Sequence, residues 1–111
     1  MLKPNIILLT IDSLRADKIY GENKKTHTPN MDLLLKKGTY FSHALSTSDQ
    51  TGTSLTSLFS GIFPITSGNT QFNFNVDTWT FFDTLKEEGY NLRGFVPDHD
   101  FFTTLTTNFD E

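Results

Sequence analysis

The sequence predicts an α/β domain in which helices pack on both faces of a parallel β-sheet. Two segments with strand-like residues, 5–11 and 90–96, alternate with three segments that carry helical signals, near 29–37, 52–61 and 78–88. The first predicted strand is a short apolar run, of the kind that is buried on both faces of a parallel sheet. With 111 residues the chain is long enough for a modest core, and we expect all of it to belong to one domain.

A carboxylate follows directly after the first predicted strand. The apolar run 5–11 ends at Asp12, and residues 13–17 are polar and turn-like. In open α/β sheets, ligands bind outside the carboxyl ends of the strands. Asp12 is therefore a candidate site residue. The alternative is that it only caps the helical turn that follows.

Start and stop signals delimit the predicted helices. The first helix has Thr28 at its N-cap, Pro29 at its first position and Gly38 at its end, and the third is predicted to be capped at 77–78. The second is predicted to turn an apolar face toward the sheet, formed by Leu55, Leu58, Phe59 and Ile62. Residues 65–76 are predicted as a loop, and residues 101–111 carry no clear pattern.

A threonine lies where a hydroxyl-rich loop meets the second predicted helix. Residues 46–54 carry almost only hydroxyl and amide side chains, and Thr51 is at the junction. The amino-terminal end of a helix favours an anion, because its first N–H groups lack partners within the helix. A Thr hydroxyl is a weak nucleophile unless a metal or a base removes its proton, and Asp12 offers hard oxygen ligands for such a metal. The alternative is that Thr51 is an N-cap with no further role.

Composition and charge exclude several classes of function. The net charge is −4 and the nine Lys and Arg residues are scattered, which argues against nucleic-acid binding. Because the chain has no cysteine, it has no disulfide, no thiolate metal site and no Cys nucleophile. We expect no membrane span and no signal peptide, and therefore a cytoplasmic location by default. The eleven Phe residues, and a sheet edge left open after 90–96, lead us to expect self-association.

Several short motifs together form a family pattern. They are PNIILLTIDSLRAD (4–17), TPNMD (28–32), GTYFSHA (38–44), TSLTSLFSGIFP (53–64) and LKEEGY (85–90). In their order and spacing, over nearly its whole length, the chain resembles the amino-terminal part of the sulfatase family, in the alkaline phosphatase superfamily. The resemblance implies an alkaline-phosphatase-like α/β fold and a metal-dependent hydrolase of sulfate or phosphate esters.

The resemblance also implies roles for three residues. Asp12 matches the first metal-binding aspartate of the family, Thr51 matches the nucleophile, and His99 matches a substrate-binding histidine. The implied cofactor is a divalent metal ion (Ca, Mg, Mn or Zn). The implied substrate is a sulfate or phosphate ester of a small molecule, a glycan or a lipid headgroup. The family completes its metal site with an Asp-His pair from the carboxyl-terminal part of longer chains, and His99-Asp100 has the wrong order and comes too early to be that pair.

The chain departs from the sulfatase pattern at the nucleophile. Sulfatases proper convert a Cys or Ser to formylglycine within a motif that continues with Pro and Arg, whereas this chain has Thr51, Thr53 and Leu55 at these positions. Ser13 replaces a second aspartate. A Thr nucleophile resembles the branch that transfers phosphoglycerol or phosphoethanolamine. The alternative to an enzyme is a truncated or inactive sulfatase-like domain that acts as a scaffold or interaction module.

Overall fold

The computed structural model of the chain describes residues 3–70 and 79–111, and within these ranges it contains helices but no β-strand. The elements are a 3₁₀ helix at Ala16–Lys18 and five α-helices: α1 (Pro29–Lys37), α2 (Thr51–Ser60), α3 (Pro64–Ser67), α4 (Phe81–Glu87) and α5 (Asp100–Leu105). The chain divides into two compact units, Met1–Ala44 and Leu45–Glu111. No helix in the described part is long and apolar enough to cross a membrane.

In the first unit, α1 forms where the sequence places its start and stop signals. Pro29 is its first residue, and Gly38 follows its last turn. The Thr28 hydroxyl donates a hydrogen bond to Asp32 Oδ1 at 3.2 Å instead of capping a backbone group. The Lys24 ammonium binds the same carboxylate, and this bond lowers the pKa of Asp32. A charged and hydroxyl-bearing cluster therefore fixes the first turn of α1 to the preceding loop.

The predicted strand at 5–11 is not formed in this structure. Its apolar side chains are exposed, Ile7 to 90% and Leu9 to 71%. Within the described ranges, no backbone–backbone hydrogen bond involves residues 5–11. A strand satisfies its backbone N–H and C=O groups only through neighbouring strands, and the described residues supply none. The parallel sheet predicted from this run is therefore not confirmed.

The second unit is built on helix packing and aromatic contacts. Helix α2 packs against α3 and α4. The Phe82 ring lies edge-on to the rings of Phe59 and Phe109, with centroid separations of 4.9 Å and 4.8 Å. Leu92 and Phe101 are buried, each with less than a tenth of its surface exposed. This unit therefore has a small core of its own.

The face that α2 buries differs from the prediction. The buried residues are Thr53, Thr56 and Ser57, whereas Leu58 is 57% exposed. The buried hydroxyls are satisfied locally, since Thr56 Oγ1 donates to the Gly52 carbonyl at 3.0 Å and Ser57 Oγ donates to the Ile62 carbonyl at 2.7 Å. Without a sheet to cover it, the leucine side of α2 gains little by facing inward, and hydroxyls that bond to their own backbone are buried at low cost.

Helix α4 begins at Phe81, three residues after the start of the predicted segment 78–88. Its cap is Thr80, whose N–H and hydroxyl both donate to Asp83 Oδ2, at 2.7 Å and 2.8 Å. The cap predicted at 77–78 lies outside the described residues. Gly89 follows the helix with a φ of 76°, a conformation that favours glycine. Phe82 and Leu85 are half-buried, and Phe81 is 37% exposed, so the predicted burial of this face is only partial.

The second predicted strand, 90–96, is also not formed as a strand. A short pairing takes its place, in which the Asp110 N–H donates to the Leu92 carbonyl and the Gly94 N–H donates to the Glu111 carbonyl, both at 2.9 Å. The Leu92 N–H is bound by Asp110 Oδ2 at 2.8 Å. These bonds tie the segment to the end of the chain instead of to a parallel neighbour.

Two helices form where the sequence predicts none. Helix α3 begins at Pro64, within the segment predicted to end α2 and start a loop; residues 71–76 of that loop lie outside the described part. Helix α5 lies in the segment without a clear pattern, and His99 caps it. The signal available in the sequence was Pro64 at the first position of α3 and the side-chain acceptor of His99 before α5.

Candidate active site

Thr51 is the first residue of α2, and its side chain is exposed. The cap residue is Gln50, so the alternative that Thr51 itself is the N-cap is wrong. Because Thr51 begins a helix of ten residues, it lies at the positive end of the helix dipole. An anionic group that approaches this end would meet backbone N–H donors in the first turn.

The turn before Thr51 is fixed by side-chain hydroxyls. The Gln50 N–H donates to Ser48 Oγ at 3.2 Å, and Ser48 Oγ is 2.6 Å from Thr53 Oγ1. Thr53 Oγ1 in turn donates to the Gln50 carbonyl at 3.2 Å. Ser46 Oγ donates to the Ser48 carbonyl at 2.6 Å. The hydroxyl-rich run is therefore a hydrogen-bonded support for the helix start.

The sequence identified Thr51 as a candidate site residue at a helix start, but it gave no supporting role to Ser48 or Thr53. Both residues lie in the hydroxyl-rich run 46–54, and the sequence did not indicate their hydrogen-bond partners. A hydroxyl two residues before a helix cap and another three residues after it can bond that residue's N–H and C=O. This spacing was the signal that could have identified them.

Asp12 lies in an exposed turn of the first unit. The next residue, Ser13, has a φ of 58°, in the left-handed region that non-glycine residues adopt at a cost of roughly 1–2 kcal/mol. Asp12 belongs to the first unit, and Thr51 and His99 belong to the second. The expectation that Asp12 and Thr51 share one metal therefore stays a prediction.

His99 is exposed at the start of α5, and its ring has a defined structural contact. The Phe101 N–H donates to His99 Nδ1 at 3.2 Å. Nδ1 must therefore carry a lone pair, which places the proton of the neutral imidazole on Nε2. His99 is thus both a helix cap and a ring that offers an N–H donor from its far side.

The carboxylate of Asp12 is chemically suited to a divalent cation, because hard cations prefer oxygen ligands. Among the described residues, however, no group of three or more His, Cys, Asp or Glu side chains could hold a metal ion. The described part of the chain therefore shows no complete coordination shell built from these side chains.

Comparison with known families assigns the chain to one of them. The family model described as Sulfatase matches residues 4–111, and the chain therefore belongs to the sulfatase family.

One curated relative is an N-acetylgalactosamine-6-O-sulfatase of Bacteroides thetaiotaomicron. It is 34% identical over 97 residues, a match that covers 79% of this chain and 19% of the relative. The chain thus spans about a fifth of the length of the curated relative it matches. No solved structure gives a significant match to the chain. The family implies an alkaline-phosphatase-like fold.

Proposed function

We propose that the protein acts as a metal-dependent hydrolase of sulfate or phosphate esters, with Thr51 as its nucleophile. The observation that carries this proposal is the position of Thr51, an exposed residue that begins α2 and follows a hydrogen-bonded turn. Membership of the sulfatase family supports the same reaction class. We further propose Asp12 as a metal ligand and His99 as a substrate-binding residue.

In the proposed reaction, Thr51 Oγ attacks the sulfur or phosphorus atom in line with the ester oxygen. The bond from Oγ to that atom forms as the bond to the ester oxygen breaks, Thr51 loses its hydroxyl proton to a base, and the departing alcohol takes up a proton from solvent. The N–H groups at the start of α2 then face the charge that develops on the non-bridging oxygens. Attack by water on the covalent adduct releases sulfate or phosphate and restores Thr51.

His99 and Asp12 would assist this reaction by hydrogen bonding and by metal binding. His99 would donate from Nε2 to a non-bridging ester oxygen, because Nδ1 is already an acceptor for the Phe101 N–H. A divalent ion held by the Asp12 carboxylate would act as a Lewis acid and neutralise charge on the group that is transferred. Among the described residues, no group of three or more His, Cys, Asp or Glu side chains forms such a site.

A second candidate function follows from the identity of the nucleophile. Thr51 and Thr53 stand where formylglycine formation would require Cys or Ser followed by Pro, so we expect an unmodified hydroxyl. An adduct on such a hydroxyl can be resolved by an acceptor alcohol as well as by water. The transfer of a phosphoglycerol or phosphoethanolamine group is therefore the alternative to hydrolysis at the same site.

The test is turnover of an aryl sulfate and an aryl phosphate by the protein, each with Ca²⁺, Mg²⁺, Mn²⁺ or Zn²⁺ and with a chelator. Thr51→Ala should lower turnover by at least about 10³-fold. Thr66→Ala, the same change at an exposed threonine of α3, should leave turnover unchanged. Asp12→Asn should raise the metal concentration needed for half-maximal rate. Equal turnover by the protein and its Thr51→Ala variant would refute the proposal, and no turnover under any condition would favour the inactive scaffold.

A further inference from the structure

We propose that Ser48 and Thr53 are positioning residues for Thr51, through a closed ring of hydrogen bonds that begins and ends on Gln50. This inference rests on the proposed role of Thr51. It adds two residues to the site and a mechanism by which they act. All three hydrogen bonds of the ring lie within the second unit.

The direction of each bond in the ring follows from its two ends. The Gln50 N–H can only donate, so Ser48 Oγ accepts from it at 3.2 Å. The Gln50 carbonyl can only accept, so Thr53 Oγ1 donates to it at 3.2 Å. The remaining contact, 2.6 Å between the two hydroxyls, must then run from Ser48 to Thr53. Each hydroxyl donates once and accepts once, and hydrogen bonds in such a chain strengthen one another.

The ring acts on the backbone that carries the nucleophile. The Gln50 carbonyl belongs to the peptide bond that joins Gln50 to Thr51, and it also accepts the Ser54 N–H at 3.0 Å. Fixing both the N–H and the carbonyl of Gln50 restricts the φ and ψ angles immediately before Thr51. The orientation of the Thr51 Cα–Cβ bond is set by that backbone.

Burial makes the ring stable against water. Thr53 is only 4% exposed, and Ser48 is half-buried. An exposed hydroxyl pair would exchange with solvent at little cost, whereas a buried hydroxyl that loses its partner is left unsatisfied. Thr53 also stands at the position where the formylglycine motif has Pro. Because Pro has no hydroxyl, the ring requires this departure from that motif.

The first experiment measures the order of the backbone at Thr51 by NMR relaxation, in the protein and in three variants. With the ring intact, we expect an order parameter of about 0.85 at Thr51. Thr53→Val, which removes the hydroxyl but keeps the shape, should lower it below about 0.6, and Thr53→Ser should restore it. Thr56→Val is the matched control, because Thr56 is 6% exposed on the same helix and its hydroxyl donates to the Gly52 and Thr53 carbonyls.

The second experiment measures kcat and KM of the same variants under the turnover conditions described for Thr51. Thr53→Val and Ser48→Ala should lower kcat by roughly 100-fold, the size expected for a nucleophile displaced by about 1 Å, with a smaller change in KM. Thr56→Val should keep kcat even if it lowers the melting temperature.

The outcomes separate the two proposals. Unchanged order at Thr51 in Thr53→Val would overturn the positioning role whatever the activity. Unchanged kcat in Thr53→Val, while Thr51→Ala is inactive, would also overturn it and leave the proposed function intact. Retained activity in Thr51→Ala would refute the proposed function itself.

Discussion

The two units of the chain bury their side chains very differently. Every buried residue in the described part lies in the second unit, and these residues are Thr53, Thr56, Ser57, Asn69, Leu92 and Phe101. The first unit contains the most apolar run of the sequence, 5–11, and leaves it exposed. Hydrophobic composition alone therefore does not decide where a core forms.

The difference lies in how each segment satisfies its backbone. The helices of the second unit bond internally, so their side chains are free to pack on nearby elements along the chain. An apolar strand needs neighbouring strands to pair its backbone groups and elements packed on the sheet faces to cover its side chains. The second unit thus forms its small core from its own residues, and residues 5–11 depend on partners that the described residues do not supply.

The largest expected effect is on the free energy of unfolding, when the same Leu→Ala substitution is made in each unit. Leu92→Ala should lower the free energy of unfolding by about 2–5 kcal/mol, since it removes a buried side chain and leaves a cavity. Leu9→Ala should change it by less than about 0.5 kcal/mol, because Leu9 is 71% exposed. Urea denaturation of the two variants measures both values. Equal losses of unfolding free energy in the two variants would contradict the difference in burial between the two units.

The next effect concerns the exposed run and self-association. If exposed apolar residues of the first unit drive association, Ile7→Lys should raise the protein concentration at which association begins by about tenfold or more. Ile65→Lys is the control in the second unit, because Ile65 is 94% exposed but lies in the short helix α3. Light scattering across a concentration series provides the measurement. A larger effect from Ile65→Lys would contradict the comparison.

A smaller effect concerns carboxylates in the two units. In the second unit, the Thr80 N–H bond is the main cause that lowers the pKa of Asp83. Asp83→Asn keeps an amide oxygen as acceptor but removes the charge that strengthens these bonds, and it should cost up to about 1 kcal/mol. In the first unit, the Arg15 hydrogen bond lowers the pKa of Asp17, but both side chains of that pair are largely exposed, at 75% and 51%. Asp17→Asn should therefore change stability less than Asp83→Asn does.

The sign of the pH dependence follows from the direction of these shifts. A carboxylate whose pKa is lower in the folded state stabilises the fold above its unfolded pKa, which is near 3.9 for Asp. That contribution is lost as the pH falls from this value through the folded pKa. Thermal unfolding between about pH 3 and 6 should therefore show a flatter profile in Asp83→Asn than in the unchanged protein. Identical profiles for the two proteins would show that the charge of Asp83 does not stabilise the cap of α4.

Local signals in the sequence predicted three of the α-helices, α1, α2 and α4, but missed α3 and α5, and the two predicted strands are not formed. The positions of Thr28, Pro29 and Gly38 were sufficient for α1, because caps and stops act within a few residues. The run 5–11 was assigned from its apolar pattern, but a strand also depends on partners that no local pattern specifies. The buried face of α2 was predicted on the assumption of a sheet, and so Leu58 was placed inside although it is exposed.

The candidate site was predictable in part. Asp12 and Thr51 were candidates from their positions in the sequence, and the family resemblance implied roles for them and for His99. The structure locates Thr51 at a helix start and His99 at a helix cap. The ring through Ser48 and Thr53 was not predicted, because each hydroxyl in a run of hydroxyls has many alternative partners. Only the geometry of the turn selects one set of bonds.

The central claim, that Thr51 is the nucleophile, is tested most directly by trapping the covalent adduct. The protein is mixed with an ester substrate and the required metal, quenched in acid during turnover, digested, and analysed by peptide mass spectrometry. We predict that the peptide containing Thr51 gains the mass of the group that the ester transfers, that fragmentation places this group on the Thr51 side chain, and that Thr51→Ala carries none. Turnover with the group on a different residue, or with the Thr51 peptide unmodified at every quench time, would contradict the assignment.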